Sequence, residues 1–294
     1  MLQGQWGDAR ETPRRLCMAP SGRWTIIALG RGATDLAHRV ARIDMGRRRR
    51  DIDGILSEWP YEPDAVSARM VRAVDGREVL QMRIEMGLLQ MEVEGRPDGS
   101  RPQGSATYFD HLLQTSLYED EDFELTEEQC EECDREFVQF YHRRVCWLSL
   151  RQFLRAARDA DHTLAFMDFC KLHSPDESWT VSHEQYRPFV LFHRVQAGAL
   201  AELEDTGPEA AIGEINQGLD RFHALFVEYD AEERFNEDEL IVRLKDLRES
   251  LREHYHVGRT LDEQLNEAIH KEEYEQAARL RDKISERDSK RFRA

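Results

Sequence analysis

Two cysteines three residues apart, Cys130-Glu-Glu-Cys133, are the only C-x-x-C pair in the chain. A structural zinc site takes four thiolate or imidazole ligands and commonly two such pairs. Here Cys146 and Cys170 stand singly on apolar helical positions, and His142 follows Cys130 by about three turns of the same helix, out of reach without a second segment. A redox pair needs a lowered thiol pKa at a helix start, whereas Glu127, Glu128, Glu131 and Glu132 crowd these thiols with negative charge. Neither metal nor redox chemistry is expected of them. The run Asp159-Ala-Asp161-His162 with Asp168, and His173, His183 and His193 beyond it, lacks the His pair with intervening Glu of a zinc protease. Those residues read as caps and satisfied core polars. Between Glu119 and Glu136 lie eleven carboxylates and one Arg. Without the ligand and glycine spacing of a calcium loop, they read as a solvated loop running into a helix N-terminus, where carboxylates suit the dipole. No Walker A loop, Gly-x-Gly-x-x-Gly, Gly-x-Ser-x-Gly or His-Glu-x-x-His occurs. The chain is therefore expected to be no enzyme, with no catalytic residue, cofactor or metal.

The elements that would position such residues are mostly helical. Ile52, Ile55, Leu56 and Trp59 follow helical spacing up to Pro60. Residues 67–74 read as a strand, Asp75-Gly76 as a two-residue hairpin turn, and Leu80, Met82, Ile84 and Met86 as one face of a half-buried strand. Gly87 marks a bend, and Leu89, Met91 and Val93 continue the sheet to the turn residues 95–99. From residue 105 helices follow one another. Thr126 caps a long helix from Glu127 to about Leu154. A segment with Leu164, Phe166, Met167, Phe169 and Cys170 ends at Ser174-Pro175, residues 176–180 form a loop, and helices span 183–203 and 208–229. The patch from His183 to His193, with Tyr186, Arg187, Phe189 and Phe192, reads as core of this array. Leu240, Leu244, Leu247, Leu251 and Tyr255 step almost as a coiled-coil heptad seam. The fold class is mainly α: a basic, disordered extension at 1–50, a small α+β unit with a β-meander at 51–104, an α-solenoid-like helical array at 105–258, and a helical hairpin at 259–294.

The net charge of -17 conceals an asymmetry. Residues 1–50 hold eleven Arg against four Asp/Glu, a net of +7 that leaves -24 on the remainder. So acidic a body repels phosphate backbones, and duplex nucleic acid is not the partner expected of it. The alternative for residues 1–50 is a basic arm, ending in Arg47 to Arg50, for nucleic acid or an acidic partner. No apolar run reaches the ~18 residues of a membrane span. Five cysteines without a framework spacing favour a reducing compartment, so a cytoplasmic location is expected.

The last forty residues carry the most specific pattern. Leu261, Leu265, Ala268 and Ile269 stripe one short helix, and Tyr274, Ala277, Ala278, Leu280, Arg281 and Ile284 a second. The string Tyr274-Glu-x-Ala-Ala-x-Leu-Arg-Asp-x-Ile284 resembles the UVR motif, the helical hairpin shared by UvrB and UvrC repair proteins, McsA-type regulators and ClpC-type chaperones. The resemblance covers about a tenth of the chain and implies a protein–protein contact element without catalysis. It points to Leu261, Leu265, Tyr274, Glu275, Ala278, Arg281 and Asp282 as partner-binding residues. Tyr274, Ala277 and Ala278 would pack the two helices, and Glu275, Arg281 and Asp282 would offer rim charges. McsA-type regulators add several C-x-x-C zinc sites, a pattern this chain lacks. Residues Pro208 to Leu219 are also similar to the second helix of a tetratricopeptide repeat, with no second copy at a fixed period. The expected function is a non-enzymatic adaptor that binds a partner protein or a second copy of itself. The alternatives are an accessory factor of UvrB/UvrC-type excision repair and a McsA/ClpC-like regulator of a protease or kinase.

Overall fold

A computed structural model describes residues 51–118 and 123–291. The readings made of residues 1–50, and the first carboxylates of the acidic stretch, lie outside them. Helix α1 (Asp53–Glu58) leads into strands β1 (Ala68–Arg72), β2 (Glu78–Ile84) and β3 (Gly87–Glu92), an antiparallel meander in the order β1-β2-β3. Arg72 pairs with Glu78, and the Ala73 N–H donates to the Arg77 carbonyl at 2.8 Å. The turn therefore has three residues, Val74-Asp75-Gly76, not the two expected. Gly76, at φ 90°, supplies the left-handed residue that closes such a loop. The β2–β3 turn is tight at Glu85–Met86, so Met86 leaves the strand and Gly87 opens β3.

Leu80 and Met91 are buried on one sheet face. The other face of β2, expected to meet water, is covered as well. Gln81 accepts from Arg69 Nε and donates to Gln90, each at 3.0 Å. Arg83 donates to the carbonyls of Trp59 and Gly87, each at 2.8 Å, and the Arg69 guanidinium lies 4.2 Å from the Trp59 ring centre. The residues following α1 thus roof the sheet with polar contacts that alternation alone does not reveal.

Nine further helices among the described residues complete the chain: α2 (Tyr108–Ser116), α3 (Glu127–Ser149), α4 (Phe153–Leu172), α5 (Glu177–Glu184), α6 (Arg187–Asp205), α7 (Pro208–Glu228), α8 (Glu239–Tyr255), α9 (Leu261–His270) and α10 (Tyr274–Arg291). From α3 onward the long helices pack on their neighbours in sequence, an α-solenoid-like stack. Thr107 and Thr126 each close a capping box, with Asp110 and Gln129. Three boundaries differ from those expected. The helix from Glu127 stops at Ser149, because Arg151 adopts φ 56° and Gln152 N–H donates to the Trp147 carbonyl at 2.8 Å. That is a Schellman turn without glycine. Residues 177–180, expected within a loop, open a short helix that runs to Glu184, since the Asp176 carboxylate accepts the Trp179 N–H at 2.9 Å. The next helix begins at Arg187, not at residue 183, because Pro188 is tolerated only in a first turn.

Leu80 and Met91 pack with Cys146 and Trp147 of α3, Ala156 and Ala157 of α4 and Ala197 of α6, so sheet and helices share one core. A second core joins Leu191, Phe192 and Val195 of α6 to Ile212, Ile215, Leu219 and Phe222 of α7 and Ile241, Leu244 and Leu251 of α8. In α8, Leu244 of the expected seam is fully buried together with Ile241, which lies off it, whereas Tyr255 at its end is exposed. Helices α6 and α7 touch closely at Gly218, where a Cβ would collide with Val195.

Charged groups lie inside this packing. Arg143 grips Asp159 with two hydrogen bonds, Nε at 2.8 Å and Nη2 at 2.7 Å. Its Nη1 donates to the carbonyls of Glu92 and Gly95 at 3.1 and 2.7 Å. Glu136, wholly buried, accepts the Tyr108 and Phe109 N–H groups at 2.6 and 3.1 Å, capping α2 from outside it. Arg144 donates to His193 Nδ1 at 3.3 Å and to Thr163 at 3.0 Å. Burial lowers the Arg144 pKa to about 10, and burial together with the Arg144 charge pushes His193 down to about 4.

Two predictions follow from these interior charges. Asp159→Ala strands Arg143 without its counter-charge and is expected to lower unfolding free energy by about 3–5 kcal/mol in urea denaturation; a loss under about 1 kcal/mol contradicts the role given to the pair. His193 stays neutral in the fold but takes a proton in the unfolded chain below its ordinary value of 6.5. Stability must therefore fall as pH drops from 6.5 towards 4, by about 2 kcal/mol at pH 5. The contribution should vanish in His193→Gln, so identical pH 7-to-5 losses in both proteins refute it.

Candidate functional site

The C-terminal hairpin is built from its caps inward. Thr260 starts α9: its hydroxyl accepts the Glu263 N–H at 3.2 Å, and Glu263 Oε2 accepts the Thr260 N–H at 2.8 Å. Glu272, at φ 59°, ends α9 in a Schellman turn in which Glu273 N–H donates to the Ala268 carbonyl at 2.8 Å. The chain reverses there and α10 begins at Tyr274.

Ala268, Ala277 and Leu280 form the buried seam between α9 and α10, with Leu261 and Leu265 half-buried beside them. Two small side chains at the crossing let the backbones approach, as the paired alanines suggested. The partner of Ala277 in that seam is Leu280, however, and neither Tyr274 nor Ala278 takes part. Tyr274 is 69% exposed and Ala278 also faces solvent: Ala277, Leu280 and Ile284, at i, i+3 and i+7, share the inner row, and Tyr274 and Ala278, at i and i+4, lie on the row beside it. Ile269, expected on the inner stripe of α9, is 51% exposed. The hairpin thus separates an inner row (Leu261, Leu265, Ala268, Ala277, Leu280) from exposed apolar residues (Ile269, Tyr274, Ala278). Glu275, Arg281 and Asp282 are exposed, as rim charges require.

One leucine and two alanine methyls are a small buried core for a helical pair of this length. Additional ties come from ion pairs: Arg287 with Asp262 at 3.5 Å, Lys271 with Glu267 at 2.8 Å, and Arg259 with Glu267. Glu263 also reaches out of the hairpin. Its Oε1 accepts from Asn216 Nδ2 of α7 at 2.9 Å and from Arg252 of α8. Burial would raise this carboxyl's pKa, but the bonds from Arg252, Thr260 and Asn216 and the Arg252 charge outweigh it and hold the group below its ordinary value. A Thr-x-x-Glu capping box at Thr260–Glu263 was there to be read in the sequence; the partners on α7 and α8 were not.

The other residues with chemical potential are dispersed by the fold. Cys130 and Cys133 are buried with Cys170 in an apolar cluster around Phe166 and Phe169. Burial and the neighbouring Cys133 push the Cys130 thiol up to about 11. A hydrogen bond to Cys170 and burial push Cys133 higher still, and burial raises Cys146 to about 12. Burial is the largest cause at Cys130 and Cys146 and the hydrogen bond to Cys170 at Cys133, ahead of the flanking carboxylates. Each titratable residue of the central helices meets a different partner: His162 lies 3.1 Å from Glu136, Asp161 takes Arg194 at 2.6 Å, and Asp168 takes Arg187 at 2.8 Å. His173 lies 2.9 Å from the Phe123 carbonyl and His183 2.8 Å from Asp134. Among the described residues no three His, Cys, Asp or Glu side chains are grouped to hold a metal ion, and no helix is long and apolar enough to cross a membrane.

Residues 259–286 match the family model of the UvrB/uvrC motif, UVR, whose span covers α9 and most of α10. Neither the curated proteins nor the solved structures contain a match to the chain.

The buried thiols generate a prediction of their own. In the folded protein at pH 8, Cys130, Cys133, Cys146 and Cys170 should resist maleimide, with labelling located by peptide mapping, and should react fully in denaturant. Rapid native labelling at Cys130 or Cys133 would contradict their placement.

Proposed function

We propose that the chain is a non-enzymatic adaptor. Its helical array, seated on the small sheet, carries the UVR hairpin as a clip for a partner protein or a second copy of the chain. The observation that supports this most is the exposed apolar set Ile269, Tyr274 and Ala278 on a hairpin whose own core is too small to use it. Leu261 and Leu265 brace that surface from inside, and Glu275, Arg281 and Asp282 frame it. Around the apolar set the signs alternate, with Glu275, Asp282 and Glu286 interleaved with Arg279, Arg281 and Lys283. Such interleaving suits the rim of a protein interface better than a phosphate backbone, which calls for one sign of charge. High thiol pKa values at Cys130 and Cys133 favour a role without thiol or zinc chemistry. A cytoplasmic location belongs to the same reading, on the ground of cysteine usage.

A second reading, an accessory factor of UvrB/UvrC-type repair, draws on the motif itself. It differs in the identity of the partner rather than in the use of the hairpin. A regulator of a protease or kinase, as in the McsA and ClpC uses of the motif, would differ in the same way.

Tyr274→Asp with Ala278→Asp places two charges on the exposed apolar set without entering the seam. Partner capture, or self-association in sedimentation, should be lost while far-UV helicity stays unchanged. Retention of the partner by this variant places the contact elsewhere. Salt-sensitive retardation of DNA by the intact chain, absent when residues 259–294 are removed, would instead favour direct nucleic-acid contact by the hairpin.

A further inference from the structure

Hairpin and array have separate apolar cores. The hairpin's seam draws only on Leu261, Leu265, Ala268, Ala277 and Leu280, and the core of α6, α7 and α8 ends at Val257. Among the described residues, the side-chain hydrogen bonds that link them converge on Glu263. Glu263 divides its two oxygens between two tasks: Oε2 accepts the Thr260 N–H and starts α9, while Oε1 accepts from Asn216 and Arg252 on the array. Both array residues are themselves held, Asn216 Oδ1 by Arg248 at 2.9 Å and Arg252 by the Gly258 carbonyl at 3.1 Å. The intervening backbone offers a pivot. His256 ends α8 at φ 55°, Val257 still packs on the array, and nothing lies within 4 Å of the position a Cβ would take at Gly258.

We infer that Glu263, with Arg252 and Asn216, is a latch that holds the hairpin in one orientation on the end of the array, and that the hairpin swings about Gly258–Arg259 when the latch is broken. An apolar interface would resist such release over its whole area, whereas a charge-assisted contact at one carboxylate opens when a single group is neutralised or outcompeted. The device concerns the free chain and does not rest on what the hairpin binds. It would determine from which direction the exposed set Ile269, Tyr274 and Ala278 is presented.

Spin labels at Glu253→Cys on α8 and Glu275→Cys on α10, both exposed positions, read the orientation by pulsed electron resonance in the full chain carrying Cys17→Ser. The unaltered latch should give one narrow distance distribution. Glu263→Gln keeps a capping-box residue at the third helical position but no carboxylate for Arg252, and the distribution should broaden over several distances. Arg252→Met leaves the Thr260–Glu263 box intact and should broaden it likewise, which decides the matter if Glu263→Gln loses helicity. Asp262→Asn, whose carboxylate pairs with Arg287 inside the hairpin, should stay narrow. A narrow distribution in both latch variants, a broad one in the unaltered latch, or broadening by Asp262→Asn to the same extent overturns the inference.

Discussion

Arg143 is almost wholly withdrawn from water, and its guanidinium binds Asp159 of α4 together with two carbonyls at the end of β3. A charge in that position is tolerated only because every direction it points in is answered. The arrangement joins the last strand to two consecutive helices some fifty residues further on, α3 and α4. A three-stranded meander is marginal by itself. Here it is anchored through Arg143 on its backbone side and through Leu80 and Met91 on its apolar side. Glu136 repeats the device one helical stretch earlier, holding the start of α2 and lying 3.5 Å from the Arg96 guanidinium that follows the sheet. The α+β segment is therefore a foundation for the helical array, with a core in common.

The array hardens from there by apolar contact. Close approach at Gly218 and Val195 draws α6 and α7 together, and Ile241 and Leu244 seal α8 onto them. Past Val257 the physics changes. The hairpin keeps a small core of its own and meets the array through one carboxylate. Interior charges in this molecule are thus structural where they are surrounded, and adjustable where, as at Glu263, a single carboxylate bridges two cores. The hairpin, with a buried seam of three side chains, is also the region that matches the UVR motif and leaves apolar residues exposed.

Much of this was legible from local pattern. Thr126, Pro208 and the stripe Leu261, Leu265 and Ala268 announce their elements through capping and period. Failures came where one residue overrides the pattern. Arg151 takes a left-handed conformation without being glycine, which no propensity foretells. Pro188 reads as a helix residue until its place in the first turn is known. Gln81 and Arg83 alternate like solvent-facing residues yet are covered by the segment around Trp59. At the candidate site the stripe on α9 was read correctly except for Ile269. The stripe on α10 takes in both Ala277 and Ala278, although the 100° step between successive residues allows only one of them to face α9.

By itself the sequence determined that the chain is mainly helical after a short meander, that its body is acidic, and that it ends in a UVR hairpin. Period, capping and turn chemistry act within a few residues of one another. Tertiary structure decided which row of α10 is inside, that Cys130 and Cys133 are buried in an apolar cluster, and that Arg143, Glu136 and Glu263 are joints. Those outcomes depend on partners on other elements, up to 51 residues away, as between Arg143 and both Asp159 and Glu92. A residue's type states what it can bond to, and only the packed chain brings the partner within reach.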